Sequence, residues 1–313
     1  MIRVALVGTG VVGASWALVF ARAGLNVTAY DPDRHAAGRV VDFVRSALAD
    51  LSAQGVPARE PADAVLARLK VAGSLEAVLD GAEYVQESVP ERLEIKRALY
   101  PLLDAAPSST ILASSTSGLP ASAFTEGLTQ RARCLVVHPI NPPHLIPLVE
   151  IVPAPWTAAE TVDRATALMR QVGQSPIRLR REISGFVVNR LQSALLAEAF
   201  RLVEDGIVQA EEVDRAMSDG LGLRWFFMGP FQTIDLNARN GIAEYCRNLG
   251  PMYYDLAREQ ADPREWTEAL VARIERDLRT QVPAASLPGR RSWRDRMLAY
   301  LATVKQKMGN IES

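Results

Sequence analysis

Residues 4–31 read VALVGTGVVGASWALVFARAGLNVTAYD, and no other stretch of the 313-residue chain limits its folding so tightly. An apolar run from Val4 to Val7 leads into Gly8, Thr9, Gly10, Val11, Val12 and Gly13. A helical segment follows to Arg22, Gly24 stops it, and a second run from Asn26 to Tyr30 ends at Asp31. Strand, glycine turn, helix and strand in that order form a dinucleotide-binding fingerprint. Gly8 permits the tight turn, Gly10 lets the backbone approach a pyrophosphate, and Gly13 lets the helix pack closely on the strand. The backbone N–H groups of Gly10, Val11, Val12 and Gly13 at the helix start then face the phosphates with the positive end of the dipole. Asp31 is placed to accept hydrogen bonds from ribose hydroxyls and to repel a 2′-phosphate, so the expected cofactor is NAD rather than NADP.

No charge lies between Arg3 and Arg22, a composition shared with signal peptides and membrane spans. The glycines and the turn inside the stretch argue against one continuous helix. The rest of the chain reads as a protein of about two domains. A formal charge of -1 gives no general pull toward nucleic acid or anionic membrane. Two cysteines, Cys134 and Cys246, are too few for a disulfide framework. A cytoplasmic location is the natural expectation, and no metal-ligand spacing is evident.

Helical and strand patterns alternate to about residue 180, then become helical throughout. The expected architecture is α/β: a Rossmann-type doubly wound sheet domain over residues 1–183, followed by an all-helical C-terminal domain over 184–313. Expected elements include a helix from Gly185 to Glu204 capped by Ser184, and a loop from Gly220 to Pro230.

Chemistry in such folds gathers at the carboxyl ends of the strands. Ser114 to Ser117 follow one strand, though serines there are commonly turn formers or caps. The run Cys134 to Val137 delivers His138 to the end of another, where the following Pro139, Asn141, Pro142 and Pro143 preclude a helix. Glu150 sits inside Leu148-Val149-Glu150-Ile151-Val152, where a carboxylate needs a cation or donors. A His138–Glu150 pair would exchange a proton with a substrate hydroxyl. The alternative is a strand-capping histidine and a glutamate on an exposed edge. Asn189 lies early in the next helix, which the apolar Phe186, Leu195 and Ala199 are expected to bury, and is either a core hydrogen-bonder or a group aimed into a cleft.

The strings SSTS, HPINPPHLIPLVEIVP, GFVVNRLQSALLAEAFRLVEDGIV, MSDGLGLRW, Met228-Gly229-Pro230 and RRSWRD resemble the L-3-hydroxyacyl-CoA dehydrogenase superfamily, most closely its lambda-crystallin / L-gulonate 3-dehydrogenase branch. The resemblance spans nearly the whole chain. It implies that His138 is the general acid/base, that Glu150 orients it, and that Ser117 and Asn189 hold the substrate oxygen and the nicotinamide side. It also implies contacts to the nicotinamide half of the cofactor within Gln86-Glu87-Ser88-Val89-Pro90-Glu91 and at Lys96, a further cofactor contact at Asn141, and a homodimer formed largely through the helical domain.

The acyl-CoA enzymes carry a lysine-rich hairpin after the second strand. Here Arg39, Arg45, Arg59, Arg68 and Lys70 are balanced by Asp42, Asp50, Glu60 and Asp63, a poor attractor for CoA phosphates. A small free L-3-hydroxy acid such as L-gulonate is therefore the expected substrate, with carnitine, 3-hydroxybutyrate or a 3-hydroxyacyl-CoA as alternatives. A structural, crystallin-like role is an alternative of another class, disfavoured by the intact Ser117, His138, Glu150 and Asn189. A free acid needs a cation, and Arg224, flanked by glycines, is the candidate. An arginine paired at a dimer contact is the competing reading, and Arg290 and Arg291 are rival anchors.

Overall fold

The computed structural model describes residues 2–309. Its first compact unit runs to Val188 and takes in the chain again from Trp293 onward; the second is Asn189–Ser292. One eight-stranded sheet organises the first unit: β1 (Arg3–Val7), β2 (Asn26–Tyr30), β3 (Leu69–Val71), β4 (Tyr84–Glu87), β5 (Ile111–Ser114), β6 (Cys134–Pro139), β7 (Leu148–Pro153) and β8 (Ser175–Arg178). Their order is β3-β2-β1-β4-β5-β6-β7-β8. The direction of winding reverses between β1 and β4, and that switch point is where open α/β sheets bind ligands.

Between β1 and β2 lies helix α1 (Val11–Arg22), buried from Gly13 through Ala21. Burial on all sides explains why this segment carries no charge. Trp16 and Phe20 stack within it at 5.2 Å. Among the described residues no helix is long and apolar enough to cross a membrane. Helix α2 (Arg34–Ala53) begins at Asp33, whose side chain accepts from His35 N. Ala37, Val40, Val44, Ala47 and Leu51, spaced three or four apart, form its buried stripe.

Every strand pair is parallel except β6 with β7. The connection 140–147 is too short for a crossover, so β7 returns antiparallel. This hairpin sets His138 directly opposite Glu150.

The second unit holds the helices Ala210–Ala216, Pro230–Leu236, Ile242–Glu259 and Glu268–Gln281, after the helix Val188–Glu204 that enters it. The expected loop from Gly220 is instead wound. Met217–Leu221 forms a widened π turn that runs into the helix Gly222–Trp225. A Cβ on Gly222 would lie 2.7 Å from the Met217 carbonyl oxygen, so glycine is what lets the turn close. From Trp293 the chain rejoins the first unit, where Ala299 enters the core. A uniform helical pattern in the sequence does not reveal that return.

Candidate active site

The glycines of the first turn divide by what surrounds them. Gly8 has φ +93°, and a Cβ there would lie 2.7 Å from the Ser88 carbonyl carbon. A Cβ on Gly13 would lie 2.0 Å from the Gly8 oxygen. Turn and packing thus account for both. At Gly10 a Cβ would meet nothing of the protein within 4 Å. No protein neighbour requires that glycine, whereas a closely approaching diphosphate does. No side chain caps α1 and no acid lies in its first turn, so its leading N–H groups are left for an anion. The residues present fit a dinucleotide. Asp31, just past β2, accepts from Thr9 N at 2.8 Å and Thr9 Oγ1 at 3.1 Å through one oxygen, and from Asp33 N at 3.0 Å through the other. Those donors fix the carboxylate beside the glycine turn.

His138 is 4% exposed and Glu150 wholly buried. His138 Nδ1 lies 2.7 Å from Glu150 Oε2. Glu150 Oε1 accepts from the backbone nitrogens of Val187 at 2.7 Å and Val188 at 3.1 Å. The reading of Glu150 as an exposed-edge residue is excluded, since β7 lies between β6 and β8. Burial pushes the Glu150 carboxyl up, but the bonds from His138, Val187 and Val188 outweigh it and hold the group below its ordinary range. The carboxylate therefore stays charged and keeps Nδ1 as a donor. That leaves Nε2 as the nitrogen able to take a proton.

This arrangement corrects one local expectation. The helix starts at Val188 rather than Gly185, and its leading N–H groups are met by Glu150 from the sheet, not by Ser184. The intervening backbone is forced into the left-handed region at Gly185 (φ 73°) and Phe186 (φ 49°). Phe186 is fully buried, with its ring 5.5 Å from that of His138. Its burial offsets the cost of a non-glycine residue there. Leu195, expected to be buried on this helix, is 39% exposed.

Ser117 stands in an exposed loop after β5, and a single carboxylate organises that loop. Glu91 Oε1 accepts from Thr116 Oγ1, from Ser117 N at 3.0 Å and from Gly118 N at 3.1 Å. Beneath it lies a buried ion pair that sequence reasoning had not resolved. Lys96 is 1% exposed and its Nζ lies 2.8 Å from both oxygens of the wholly buried Glu87, against 3.8 Å from Glu91 Oε2. Ser114 Oγ and Val89 N also bind Glu87. The first partner of Lys96 is therefore Glu87. The available signal was a glutamate inside the strand Tyr84–Glu87 with a lysine nine residues on. Asn141 is exposed in the turn after β6.

In the second unit Asn189 is the second residue of its helix and half-buried. Arg224 lies exposed on the helix Gly222–Trp225; the hydrogen bond to Tyr253 raises the Tyr245 phenol above its ordinary range, and the nearby Arg224 charge only partly opposes that shift. The hydroxyls of Tyr245 and Tyr253 are 2.9 Å apart. Arg290 and Arg291 are exposed near the start of the last helix. Among the described residues no group of three or more His, Cys, Asp or Glu side chains could hold a metal.

Two family models match nearly end to end: 3-hydroxyacyl-CoA dehydrogenase, NAD binding domain, over residues 3–183, and 3-hydroxyacyl-CoA dehydrogenase, C-terminal domain, over residues 185–276. A lambda-crystallin homolog of Bos taurus is 43% identical over 97% of this chain and 96% of its own length. An L-carnitine dehydrogenase of Streptomyces griseus is 42% identical over 80% of this chain and 74% of its own. Among solved structures, the NAD+-dependent 5-formyl-3-hydroxy-2-methylpyridine 4-carboxylic acid 5-dehydrogenase superposes with a TM-score of 0.81 at 27% identity, covering 98% and 99% of the two chains.

Proposed function

The chain belongs to the 3-hydroxyacyl-CoA dehydrogenase family as an NAD-dependent hydroxy acid dehydrogenase, and within that family we propose that it oxidises a small free L-3-hydroxy acid, with L-gulonate the leading substrate, to the 3-oxo acid. The observation that carries this reading is the buried carboxylate of Glu150 at 2.7 Å from His138 Nδ1.

His138 is the general acid/base. Its Nε2 takes the C3 hydroxyl proton while Glu150, held by His138 and two backbone donors, stabilises the imidazolium that results. Partial deprotonation makes the hydroxyl electron-rich, which promotes departure of hydride from C3. NAD+, which the glycine turn and Asp31 would hold, would supply the hydride acceptor. Ser117, on the loop organised by Glu91, and Asn189 hold the substrate oxygen and the nicotinamide side. Gly8, Gly10, Val11, Val12, Gly13, Asp31, Glu91 and Asn141 bind the cofactor, and Lys96 supports Glu91 from beneath.

A free acid is favoured over a CoA thioester by the cations that follow β2. Arg39 pairs with Asp33 at 3.7 Å, Arg45 with Asp42 at 2.8 Å, and Arg68 with Glu60. Neutralised cations are weak phosphate attractors. Relatives named for carnitine and for a pyridine carboxylic acid are in keeping with free acids. Arg224 anchors the substrate carboxylate through its planar fork.

The protein works as a homodimer through the helical unit, residues 189–292. Among the described residues of that unit only Val203, Thr233 and Leu270 are buried, while Leu223, Trp225, Phe227, Phe231 and Leu236 are all more than a third exposed. So large an apolar surface needs a cover, and a second copy supplies one.

The reading is tested by following NADH formation across L-gulonate, L-carnitine, L-3-hydroxybutyrate and 3-hydroxybutyryl-CoA. The highest kcat/KM is expected for a free acid, and preference for the CoA thioester would overturn the substrate assignment.

A further inference from the structure

Beneath the glycine turn five buried or half-buried side chains form a hydrogen-bond relay whose direction can be worked out atom by atom. The Gln86 amide lies with Nε2 3.3 Å from the carbonyl oxygen of Val137. A carbonyl can only accept, so the nitrogen is the atom on that side. Its second N–H donates to Ser115 Oγ at 2.7 Å, and the Tyr84 hydroxyl donates to Oε1 at 2.6 Å. The Trp16 indole, a donor only, reaches the same Ser115 Oγ at 3.2 Å. Ser115 thus accepts two hydrogen bonds, which fills its lone pairs. Its own proton must therefore go to its third neighbour, Ser88 Oγ, at 2.9 Å.

Ser88 is left with a proton to donate and, among the described residues, no further partner for its hydroxyl. Its place is equally defined. The Ser88 carbonyl carbon lies 2.7 Å, and its Cβ 3.5 Å, from where side chains on Gly8 and Gly13 would begin. It therefore lines the glycine turn directly, just after β4 at the switch point of the sheet. The side chain is half-buried, not sealed off.

We propose that Ser88 is a dinucleotide-binding residue, its hydroxyl held by the Trp16–Gln86–Ser115 relay as an obligate donor to an acceptor oxygen of NAD. The relay adds a second role for Gln86 and Trp16. They do not touch the cofactor, but they prevent the Ser88 proton from turning inward to Ser115. Val137, whose carbonyl fixes the amide, precedes His138, so the strand that carries the catalytic base also sets the direction of the relay.

The test is NADH binding without substrate, followed by the fluorescence of the reduced nicotinamide, with apo-protein melting measured in parallel. The wild-type titration first establishes the dinucleotide affinity, so failure of cofactor binding is distinct from failure of this assignment. Ser88→Ala should raise the NADH Kd about three- to tenfold, the range for loss of one hydrogen bond. Ser115→Ala releases the Ser88 hydroxyl from the relay but leaves it able to donate, so NADH affinity should weaken less than in Ser88→Ala. Unchanged affinity in Ser88→Ala overturns the proposal. Equal weakening in both variants also overturns it, since Ser88 would then act only through the network. If Ser88→Ala does not fold, Ser88→Gly, which also lacks the hydroxyl, carries the same two outcomes.

Discussion

Replacing Glu150 with Gln alters one atom and should disable proton transfer while leaving the fold largely in place. The carboxylate accepts three hydrogen bonds, from His138 Nδ1 at 2.7 Å and from the nitrogens of Val187 and Val188 at 2.7 and 3.1 Å. A glutamine can keep its oxygen toward the two backbone donors. Its NH2 then faces Nδ1, which must become the acceptor, and the remaining proton moves to Nε2. The imidazole would present a donor where a base is required, and the imidazolium would lose its counter-charge. Loss of general acid–base function costs about a hundredfold to ten-thousandfold in kcat. Loss of a hydrogen bond to a charged group costs about 1.5–3 kcal/mol of stability.

The same geometry sets a pH dependence. Glu150 has its carboxyl lowered in the folded state, so its contribution to stability is present above the ordinary carboxyl pKa. It is lost as pH falls through the lowered value. Glu150→Gln should abolish that part of the acid-side slope in a urea-melting series. The assay pairs kcat from NADH absorbance with NADH titration and melting. Turnover within a few-fold of wild type, or loss of NADH binding along with turnover, would refute the reasoning.

Other outcomes follow from the same structure. Asp31→Ser combined with a nearby arginine should shift the preference from NADH toward NADPH in a binding competition, and equal use of both by the unaltered protein would contradict the Asp31 contact. Arg224→Ala should raise KM for the acid steeply, by about 2–5 kcal/mol equivalent, with NADH affinity unchanged, and lysine should rescue only in part; if KM moves only in Arg290→Ala or Arg291→Ala, the anchor is theirs. Lys96→Met should destabilise by about 3–5 kcal/mol because it leaves the Glu87 carboxylate buried and unpaired, and a melting temperature equal to wild type would show that the pair is not structural. Burial lowers the His144 imidazole to about 4, with Asp295 opposing and Arg22 adding to the shift. Stability should therefore fall as pH drops from the ordinary histidine range toward about 4, and His144→Leu should flatten that window.

Much of this architecture was legible in the sequence because it rests on local chemistry. The glycine turn, the strand ending at Asp31 and the switch to helices near residue 184 are each written in residue type and spacing. So were His138 and Glu150 as candidates, since a histidine followed by prolines and a glutamate inside a strand each need a reason. Their pairing was one of two readings of the residues and the one the family resemblance implied; its geometry was not legible, because it depends on β7 running antiparallel and bringing the two into register. The capping of the following helix was missed for a related reason. The acceptor lies far away in sequence, on β7, rather than beside the helix at Ser184. Arg224 was expected on a loop because glycines normally break helices, yet Gly222 serves to close a π turn. The Glu87–Lys96 pair was hidden because burial of a lysine is decided by tertiary packing.

The proposed mechanism requires that the His138 imidazole carry the proton while the dinucleotide binds elsewhere. Single-turnover NADH formation by His138→Gln, with its preferred acid and saturating NAD+, measures this directly when combined with an NADH titration of the same variant. The structure predicts that NADH binds as in wild type while hydride transfer slows by about a hundredfold or more. Near-normal hydride transfer in that variant would contradict the assignment of His138 as the base.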